Sequence, residues 1–356
     1  MQKTITARRL SPTPIVTAGS VEGYGAIFNG GVIHHDGRFH LFARGVRDGY
    51  RRNPGPGPRF VDYVSDVLVL TSEDGVRYEY QQVLMAASAG DVHSYEDPRV
   101  QVVESRGAEH VLMTYTDLPA SGLPWRIGVH RLIYDGARFR LNENSGRVLD
   151  PAGHPDKNGV VFNLADGRVA LIHRIYPNMQ VAVFDDLEAL LDPRPGYWEA
   201  YVRHLERHTI LAPAPGSQAV GAGAPPIATP AGLLLFFHER MADGSYTGNV
   251  ALLDPTTARL IARLPPPILA PELEWERHGD VDEVVFVQGA VRLPTGEIYL
   301  TYGAADRCVG AAVVDEEELL RALLAERDPS AGTGVRSRSG SRKYLNRQGD
   351  PPAGTS

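Results

Sequence analysis

Residues 94–100, SYEDPRV, combine the side chains best suited to acid–base chemistry. Pro98 disfavours the α region for the residue before it, so Asp97 is predicted to be extended or in a turn. Adjacent strand residues point to opposite sides, so one of Glu96 and Asp97 can face a pocket while an arginine holds the other. A carboxyl group buried beside apolar strands can keep its proton and act as a general acid. In isolation, an Asp-Pro turn with a surface salt bridge is the simpler interpretation.

Cationic, polar and aromatic side chains recur at the ends of short apolar strands elsewhere in the chain. They are Arg44, Tyr115 with Thr116, His173 with Arg174, His238 with Glu239, and Tyr302 followed by Asp306. A further cation, Lys157, lies in the polar turn of HPDKNGVVFN, before another apolar strand. Such side chains suit a core poorly, and their recurrence at one position of a repeated strand favours a shared pocket for an anionic or sugar ligand.

Common metal-binding and nucleotide-binding motifs are absent from the sequence. It contains no HExxH pair, no EF-hand loop, no Walker loop, no GxGxxG turn after a strand and no GxSxG elbow. The single cysteine, Cys308, excludes an internal disulfide and a cysteine-cluster zinc site. The sequence therefore predicts no metal and no bound cofactor.

Five similar segments, each with a turn glycine followed by a short apolar strand, supply these strand ends. Their glycines, spaced 70, 60, 65 and 64 residues apart, are Gly37, Gly107, Gly167, Gly232 and Gly296. The units hold further strand candidates and show no βαβ alternation, which favours an all-β, five-bladed β-propeller. In such a fold equivalent strands converge on one axis. A β-sandwich followed by a second β domain is the alternative.

Two segments have leucines at helical spacing and acidic beginnings, which predicts short capping helices at residues 185–192 and 315–328. We expect residues 1–328 to form a single propeller domain. Residues 329–356 are rich in glycine, serine and arginine and cannot bury a core, so they are predicted to be a disordered tail.

The overall composition limits the class of partner. The 356 residues include 36 lysines and arginines against 43 aspartates and glutamates, and 43% are hydrophobic. The net charge of −7 argues against a nucleic-acid surface or a polybasic membrane surface. No apolar run has the length of a signal peptide core or of a membrane span. We therefore expect a cytoplasmic protein, and the sequence leaves open whether it is a homo-oligomer.

Five motifs, in order along residues 20–325, resemble those of the mannoside phosphorylases of glycoside hydrolase family 130. They are FNGGVI with LFARG, YEDPRV, DKNGVVF followed by HR, GAGAPPIATPAGLLLFFH, and VVFVQGAV with YGAAD. The resemblance implies a five-bladed propeller that cleaves β-mannosides by reversible phosphorolysis with inversion, giving α-mannose 1-phosphate. It also implies a small oligosaccharide substrate, with inorganic phosphate as co-substrate.

The resemblance further implies roles for individual residues. Asp97 would be the general acid that protonates the glycosidic oxygen. Phosphate would be bound by four residues: Arg44, Lys157, His238 and, more weakly, Tyr246. Asn29 and Asp306 would contact the sugar in the cleaved subsite, and the other candidate substrate-binding residues are Glu96, Arg99 and Arg174. Because phosphate is the nucleophile, no second catalytic carboxylate is required.

In several places the sequence departs from the family pattern. Leu233 and Leu234 stand where a tryptophan is frequent, and Asp66 stands where a basic residue is frequent. Glu239 brings a carboxylate next to the expected phosphate histidine. Residues 49–60, GYRRNPGPGPRF, form a long Gly/Pro loop that is predicted to lie at the rim of the acceptor site.

Two alternative functions remain open at this point. The additional carboxylates are compatible with an inverting β-mannosidase of the same fold, in which Glu239 or Glu283 would activate water. A sugar-binding propeller without catalysis is the third possibility. The retention of Asp97 together with the three cationic positions argues against it.

Overall fold

The computed structural model describes residues 5–88, 92–119 and 122–327. The predicted tail, residues 329–356, lies outside the described residues. Five antiparallel sheets, here called blades I to V, follow one another along the described chain. Each blade has four main strands, called A to D in their spatial order, and blades II and IV carry one extra short strand each.

The strands of each blade, from A to D, have the following bounds. Blade I consists of Tyr24–His35, Arg38–Arg47, Ser65–Ser72 and Glu79–Met85. Blade II consists of Val92–Ser105, Ala108–Pro119, Arg126–Tyr134 and Phe139–Leu141, with Arg147–Leu149 added. Blade III consists of Lys157–Asn163, Val169–Arg174, Met179–Phe184 and Thr209–Leu211. Blade IV consists of Ser217–Ala222, Gly232–Met241, Tyr246–Leu253 and Leu260–Arg263, with Ile227–Thr229 added. Blade V consists of Val285–Arg292, Glu297–Ala304, Cys308–Asp315 and Arg8–Arg9.

The A strands form the inner ring of the molecule. The A strands of blades I and II, II and III, III and IV, and V and I contact each other, and the A strand of blade V also packs on blade IV. An apolar layer fills the space between each pair of neighbouring blades. Both faces of a blade are therefore buried, and Ser65–Ser72 is buried along its whole length. The five-bladed propeller is confirmed, and two separate β domains are excluded.

The five turn glycines lie at the start of the B strands of their blades: four precede the strand, and Gly232 is its first residue. Their φ angles are positive, at 74° for Gly37, 75° for Gly107, 87° for Gly167, 141° for Gly232 and 86° for Gly296. In blade IV the extra strand Ile227–Thr229 precedes the glycine, and a Cβ on Gly232 would lie 2.4 Å from the carbonyl oxygen of Leu253. Glycine adopts these conformations without steric cost, which explains why the repeat is visible in the sequence.

The two predicted helices are present as Leu187–Leu191 and Glu316–Ala325. Each begins with an aspartate cap: Asp186 accepts from the backbone N–H of Ala189, and Asp315 accepts from that of Glu318. Three short helices and one 3₁₀ turn were not predicted, because they are too short to show a period: Tyr197–Arg203, Leu205–His208, Glu274–Arg277 and Ala18–Ser20.

The first described strand closes the ring. Arg8–Arg9 pairs with Cys308–Asp315 and so completes the last blade. The guanidinium of Arg9 donates to both carboxylate oxygens of the buried Glu276, at 2.7 and 2.8 Å. The two ends of the propeller are thus joined by a sheet ladder and by a buried ion pair.

Candidate active site

Bulges in the A strands position the polar residues of the inner ring. In blades I, II, III and V the ladder to the B strand shifts register over a short segment. The residues in these bulges are Asn29 with Gly30, Asp97 with Pro98, Asn158 with Gly159, and Gln288. Three of them have left-handed backbones, with φ of 47° at Asn29, 52° at Asp97 and 57° at Asn158. Asparagine and aspartate tolerate this region best among non-glycine residues, so the sequence and the bulge geometry agree.

Asp97 is buried and held by the neighbouring blade. Its Oδ1 accepts a hydrogen bond from Nδ2 of Asn29 at 2.9 Å. Oδ1 of Asn29 has no partner among the described residues and is buried. Gln288 fixes both bulges, because its Nε2 donates to the carbonyl oxygens of Asn29 and Pro98, each at 2.8 Å.

Glu96, the other carboxylate of the motif, is completely buried between two cations. Arg44 Nη2 donates to its Oε1, and Lys157 Nζ donates to its Oε2 at 3.2 Å. Arg44 also lies 3.6 Å from Oδ1 of Asp97 through Nη1, and its Nε is buried without a partner. The residues from blades I, II and III that the sequence analysis singled out separately are therefore in contact.

The surrounding cations determine the charge of Asp97. Burial works to raise the pKa of this carboxyl, but Arg44, Arg99, Lys157 and the hydrogen bond from Asn29 outweigh it and hold the pKa below its ordinary value. The expectation that burial alone would keep Asp97 protonated is therefore wrong for the protein without substrate. A proton donor at this position requires some of the surrounding positive charge to be neutralised first.

Arg99 is a structural member of the site. Its Nε donates to the carbonyl of Gly223 at 2.7 Å, and its Nη1 donates to the carbonyl of Asp97 at 2.8 Å. Its Nη2 donates to the carbonyl of Ala222 at 3.0 Å and to Oδ1 of Asn158 at 3.1 Å. These bonds join blades II, III and IV, so the guanidinium supports the backbone at Asp97 and is not free for substrate.

A second group of candidate residues comes from the B strands of blades III and IV. The guanidinium of Arg174 makes no hydrogen bond with any described residue, and it lies close enough to Asp97 and Tyr246 to interact with them electrostatically. His238 is buried and stacks on Phe286, with ring centroids 3.8 Å apart, and its Nδ1 has no described partner. Burial, followed by the charges of Arg174 and Arg99, holds the pKa of His238 well below its ordinary value. Arg174 thus offers a charged hydrogen-bond donor, and His238 offers a neutral one.

Asp306 lies on the blade V side of the site and is only partly exposed. Burial raises its pKa to about 7; the nearby Asp97 adds to the shift and Arg44 opposes it. Like the bulge residues, Asp306 has a left-handed backbone, with φ of 53°. A carboxyl group that titrates near neutral pH can either donate to or accept from a sugar hydroxyl.

The Gly/Pro loop forms a hairpin, Arg51–Arg52 with Phe60–Val61, that is tied to blade V. Arg52 donates to the carbonyl oxygen of Asp280 at 2.8 Å, and the Tyr50 hydroxyl donates to the carboxylate of Asp280. At the base of the hairpin, the ring of Tyr63 lies 5.1 Å from the guanidinium carbon of Arg44. The hairpin is thus fixed next to Tyr63, and its place at the rim of the acceptor site stays a prediction.

Several residues at the predicted strand ends are hydrogen-bonded to residues outside the group around Asp97. The Tyr115 hydroxyl lies 3.1 Å from His130 Nδ1, and His173 bridges Asp156 and Tyr201 at 2.8 Å to each. The Tyr302 hydroxyl donates to Glu276 at 2.8 Å. Side chains alternate along a strand, so in each pair of adjacent polar residues one is structural.

The departures from the family pattern are also explained by structure. Glu239 accepts from the side chain of Arg263 and from the backbone N–H of Ala214, at 3.0 Å to the latter. Asp66 accepts from Arg47 and Tyr24, which makes it a buried anchor. Leu233 and Leu234 belong to the apolar layers. Glu283 is about half exposed and lies 3.9 Å from Arg277.

The sequence model described as β-1,4-mannooligosaccharide phosphorylase, that of glycoside hydrolase family 130, matches residues 3–325. The chain belongs to glycoside hydrolase family 130. It is 29% identical over 326 residues to the 1,2-β-oligomannan phosphorylase of Thermoanaerobacter sp. (strain X514), a match that covers 88% of this chain and 99% of that protein. A β-1,2-mannobiose phosphorylase from the same organism is 29% identical over 304 residues, with 83% of this chain and 91% of the relative covered.

A solved structure supports the architecture. The structure of β-1,2-mannobiose phosphorylase from Listeria innocua, in complex with β-1,2-mannobiose, has a TM-score of 0.70 to this chain. The likeness covers 90% of this chain and 99% of that chain at 20% sequence identity. It shows that the two proteins share a fold.

Two residues of this family 130 site were missed by the sequence analysis. Asn158 donates toward His238, with Nδ2 and Nε2 3.3 Å apart, and the ring of Trp125 covers Lys157 Nζ at 4.8 Å from its centroid. The sequence does contain a signal for Asn158. The pair Asn-Gly occurs in both FNGG and KNGV, and it takes the same bulge position as Asp-Pro in EDPR. Trp125 lies in a connection between strands, where no repeated pattern marks it.

The described residues include no group of three or more histidine, cysteine, aspartate or glutamate side chains arranged to hold a metal ion. Within the same residues, no helix has the length and apolar character needed to cross a membrane.

Proposed function

We propose that this protein is a β-mannoside phosphorylase that cleaves its substrate with inorganic phosphate and with inversion, releasing α-mannose 1-phosphate. The observation that carries the proposal is the concentration of positive charge around one buried carboxyl. Arg44, Arg99 and Lys157 surround Asp97, and beside them Arg174 has a guanidinium without a hydrogen bond to any described residue. A phosphate dianion needs several cationic and N–H donors, for which Arg44, Lys157 and Arg174 are the candidates, whereas Arg99 adds charge only.

Unpaired buried polar atoms support a ligand at the same place. Oδ1 of Asn29, Nε of Arg44 and Nδ1 of His238 are all buried without a described partner. Buried polar atoms of folded proteins are nearly always hydrogen-bonded, and a bound ion or water is one explanation of an exception. An acceptor at Asn29 suits a sugar hydroxyl, whereas the donors at Arg44 and His238 suit phosphate oxygens.

The proposed reaction needs one carboxyl group and one phosphate. The protonated Asp97 donates its proton to the glycosidic oxygen as the bond from that oxygen to C1 of mannose breaks. A phosphate oxygen attacks C1 from the opposite face, which inverts the anomeric configuration. The proton that phosphate gives up on becoming a dianionic monoester restores Asp97.

The charge arrangement couples the two substrates. Without phosphate, the surrounding cations keep Asp97 ionised, because they lower its pKa. A bound dianion neutralises part of that positive charge and so raises the pKa of Asp97. Phosphate thus acts as the nucleophile and also prepares the acid for its proton transfer.

The ion pairs of Glu96 and Glu239 argue against hydrolysis with either of them as the base. Hydrolysis with inversion requires a free carboxylate to activate water across the sugar ring. Glu96 is paired with Arg44 and Lys157, and Glu239 is held by Arg263. Because both carboxylates are already held by cations, neither is available as a base.

The direct test is product analysis with the full chain. The protein is incubated with β-1,2-mannobiose or β-1,4-mannobiose, with and without inorganic phosphate, and the products are identified by NMR of the anomeric carbon. We expect α-mannose 1-phosphate and mannose from at least one disaccharide, and only when phosphate is present. Release of mannose alone, independent of phosphate, would establish the β-mannosidase instead, and no cleavage would favour the sugar-binding propeller. The Asp97→Asn protein, prepared identically, controls for contaminating enzymes.

A further inference from the structure

A chain of hydrogen bonds runs from Arg99 through Asn158 to His238. Nη2 of Arg99 donates to Oδ1 of Asn158 at 3.1 Å, and Nδ2 of Asn158 lies 3.3 Å from Nε2 of His238. All three residues are buried, with exposed fractions of 1%, 2% and 1%. His238 belongs to the proposed phosphate site, whereas Asn158 has no role in the proposed reaction.

The direction of the chain fixes the orientation of the amide. An arginine has only donors, so the atom of Asn158 that faces Arg99 is the carbonyl oxygen Oδ1. The NH₂ group of Asn158 must then face His238, where it can only donate. Nε2 of His238 is therefore the acceptor and carries no proton, which leaves the single proton of the neutral ring on Nδ1.

The surrounding backbone is built for this contact. Asn158 occupies the blade III bulge with φ of 57°, and the opposing residue, Gly221, leaves the space that the contact fills. A Cβ at Gly221 would lie 2.2 Å from Nδ2 of Asn158 and 2.4 Å from Nε2 of His238. The other face of the imidazole is fixed by its stacking on Phe286 at 3.8 Å. Glycine at this position is thus required by the contact itself.

We infer that Asn158 is a positioning residue that holds His238 as the neutral tautomer with its proton on Nδ1, so that this N–H can donate to a phosphate oxygen. Nδ1 is buried and has no partner among the described residues, so it is the atom that lacks an acceptor. The inference rests on the proposed phosphate site. Burial and the charges of Arg174 and Arg99 keep the ring neutral, in agreement with an Nε2 that accepts from an amide.

The tautomer can be observed directly. The full chain is labelled with ¹⁵N-histidine, the ring signals of His238 are assigned by their absence from His238→Gln, and the protonated nitrogen is identified. We expect a neutral ring protonated on Nδ1 in the wild type. In Asn158→Asp the side chain still accepts from Arg99 but can no longer donate, so the proton should move to Nε2 or the ring should become charged. Aspartate tolerates the left-handed backbone, so the variant should fold.

The affinity of two His238 variants for phosphate identifies the ring nitrogen that donates to phosphate. The amide nitrogen of asparagine can replace Nδ1, whereas that of glutamine can replace Nε2. Calorimetry with inorganic phosphate should therefore give His238→Asn an affinity within about threefold of wild type, and His238→Gln a loss of about tenfold or more, which is the effect of one hydrogen bond to a charged group.

The outcomes separate the inference from the proposed function. A wild-type ring protonated on Nε2, or a tautomer unchanged by Asn158→Asp, would overturn the role of Asn158 whatever phosphate does. A ring protonated on Nδ1 with equal losses in His238→Asn and His238→Gln would overturn the assignment of Nδ1 as the phosphate donor. A wild-type protein that binds no phosphate would overturn the proposed function, while the NMR result would still decide the tautomer.

Discussion

Asn29 and Asp97 occupy equivalent bulges in the A strands of neighbouring blades, and Nδ2 of Asn29 donates to Oδ1 of Asp97 over 2.9 Å. Gly303 permits the contact from blade V, because a Cβ there would lie 1.9 Å from Oδ1 of Asn29. The amide donor favours the ionised form of Asp97, and so do the cations on its other side. The geometry thus favours the ionised form of Asp97, which must gain a proton before it can act as the proposed general acid.

Phosphate binding should therefore be accompanied by proton uptake at Asp97. The uptake is measured by calorimetry at pH 8, where inorganic phosphate is predominantly a dianion, in buffers of different ionisation enthalpy. We expect the wild type to take up a fraction of a proton per phosphate, because the dianion offsets the cations that lower the pKa of Asp97. The control is Asp97→Asn, which cannot take up this proton. No uptake by the wild type, or equal uptake by both proteins, would refute the coupling.

Two cations of the proposed phosphate site, Lys157 and Arg174, should affect the KM for phosphate. Lys157→Met and Arg174→Met keep much of the side-chain volume but remove the charge. Each should raise the KM for phosphate by about tenfold or more, the cost of losing a hydrogen bond to a charged group. Arg168→Met is the matched control, because this arginine pairs with Asp166 at the surface and should leave the KM unchanged. A KM equal to that of the wild type in both site variants would remove these residues from the phosphate site.

Asp306 should make the folded protein less stable as the pH rises. Its pKa is raised to about 7, chiefly by burial, so the folded state binds a proton that the unfolded chain releases near pH 4. The stabilisation from this proton is present at low pH and is lost as the pH rises through 7. Relative to wild type, Asp306→Asn should therefore be more stable at pH 8 than at pH 5 in urea unfolding.

The control for Asp306 is an exposed carboxylate in a blade II turn. Hydrogen bonds from Arg140, Arg138 and Ala137 lower the pKa of Asp135 to about 2. It is ionised at both pH 5 and pH 8, so Asp135→Asn should show the same stability difference from wild type at the two pH values. A flat response for Asp306→Asn as well would show that Asp306 has an ordinary pKa.

Much of the fold could be predicted from the sequence because its constraints are local. The turn glycines need positive φ angles, and the apolar B strands are buried on both faces, so both leave a repeated pattern. The site was harder to predict, because one step along a strand reverses the direction of a side chain. His173 and Arg174 are adjacent, yet the first is held by Asp156 and Tyr201 while the second lies near Asp97.

The electrostatics of the site could not be predicted from one motif. The sequence indicated that Asp97 would be buried, and burial by itself raises the pKa of a carboxyl. The opposing effect comes from Arg44 and Lys157, which lie 53 and 60 positions away in the chain and meet Asp97 only when the blades close. The direction of the pKa shift of Asp97 is thus set by residues of three blades and not by its own motif alone.

Closure of the ring should depend on Arg9 far more than on its neighbour. Arg9→Ala leaves Glu276 buried without its cation, which should cost about 3–5 kcal/mol of unfolding free energy. Arg8→Ala removes only an exposed pair with Glu297 and should cost about 1 kcal/mol or less. Urea unfolding of the two variants compares these costs directly. Similar, small losses would mean that the first strand does not hold the propeller closed.

The central claim is that Asp97 protonates the leaving oxygen. It is tested most directly by asking whether the turnover lost in Asp97→Asn depends on the leaving group of the substrate. The turnover of Asp97→Asn and Glu96→Gln is measured with phosphate on a β-mannobiose and on an aryl β-mannoside. Asp97→Asn keeps an acceptor for Asn29 but has no acidic proton. It should lose about 10² to 10⁴-fold on the disaccharide and much less on the aryl mannoside, which needs little protonation. Glu96→Gln removes the charge that pairs with Arg44 and Lys157, and its turnover should fall by the same factor on both substrates. Equal losses on the two substrates for Asp97→Asn, or a loss that depends on the leaving group only in Glu96→Gln, would contradict the account.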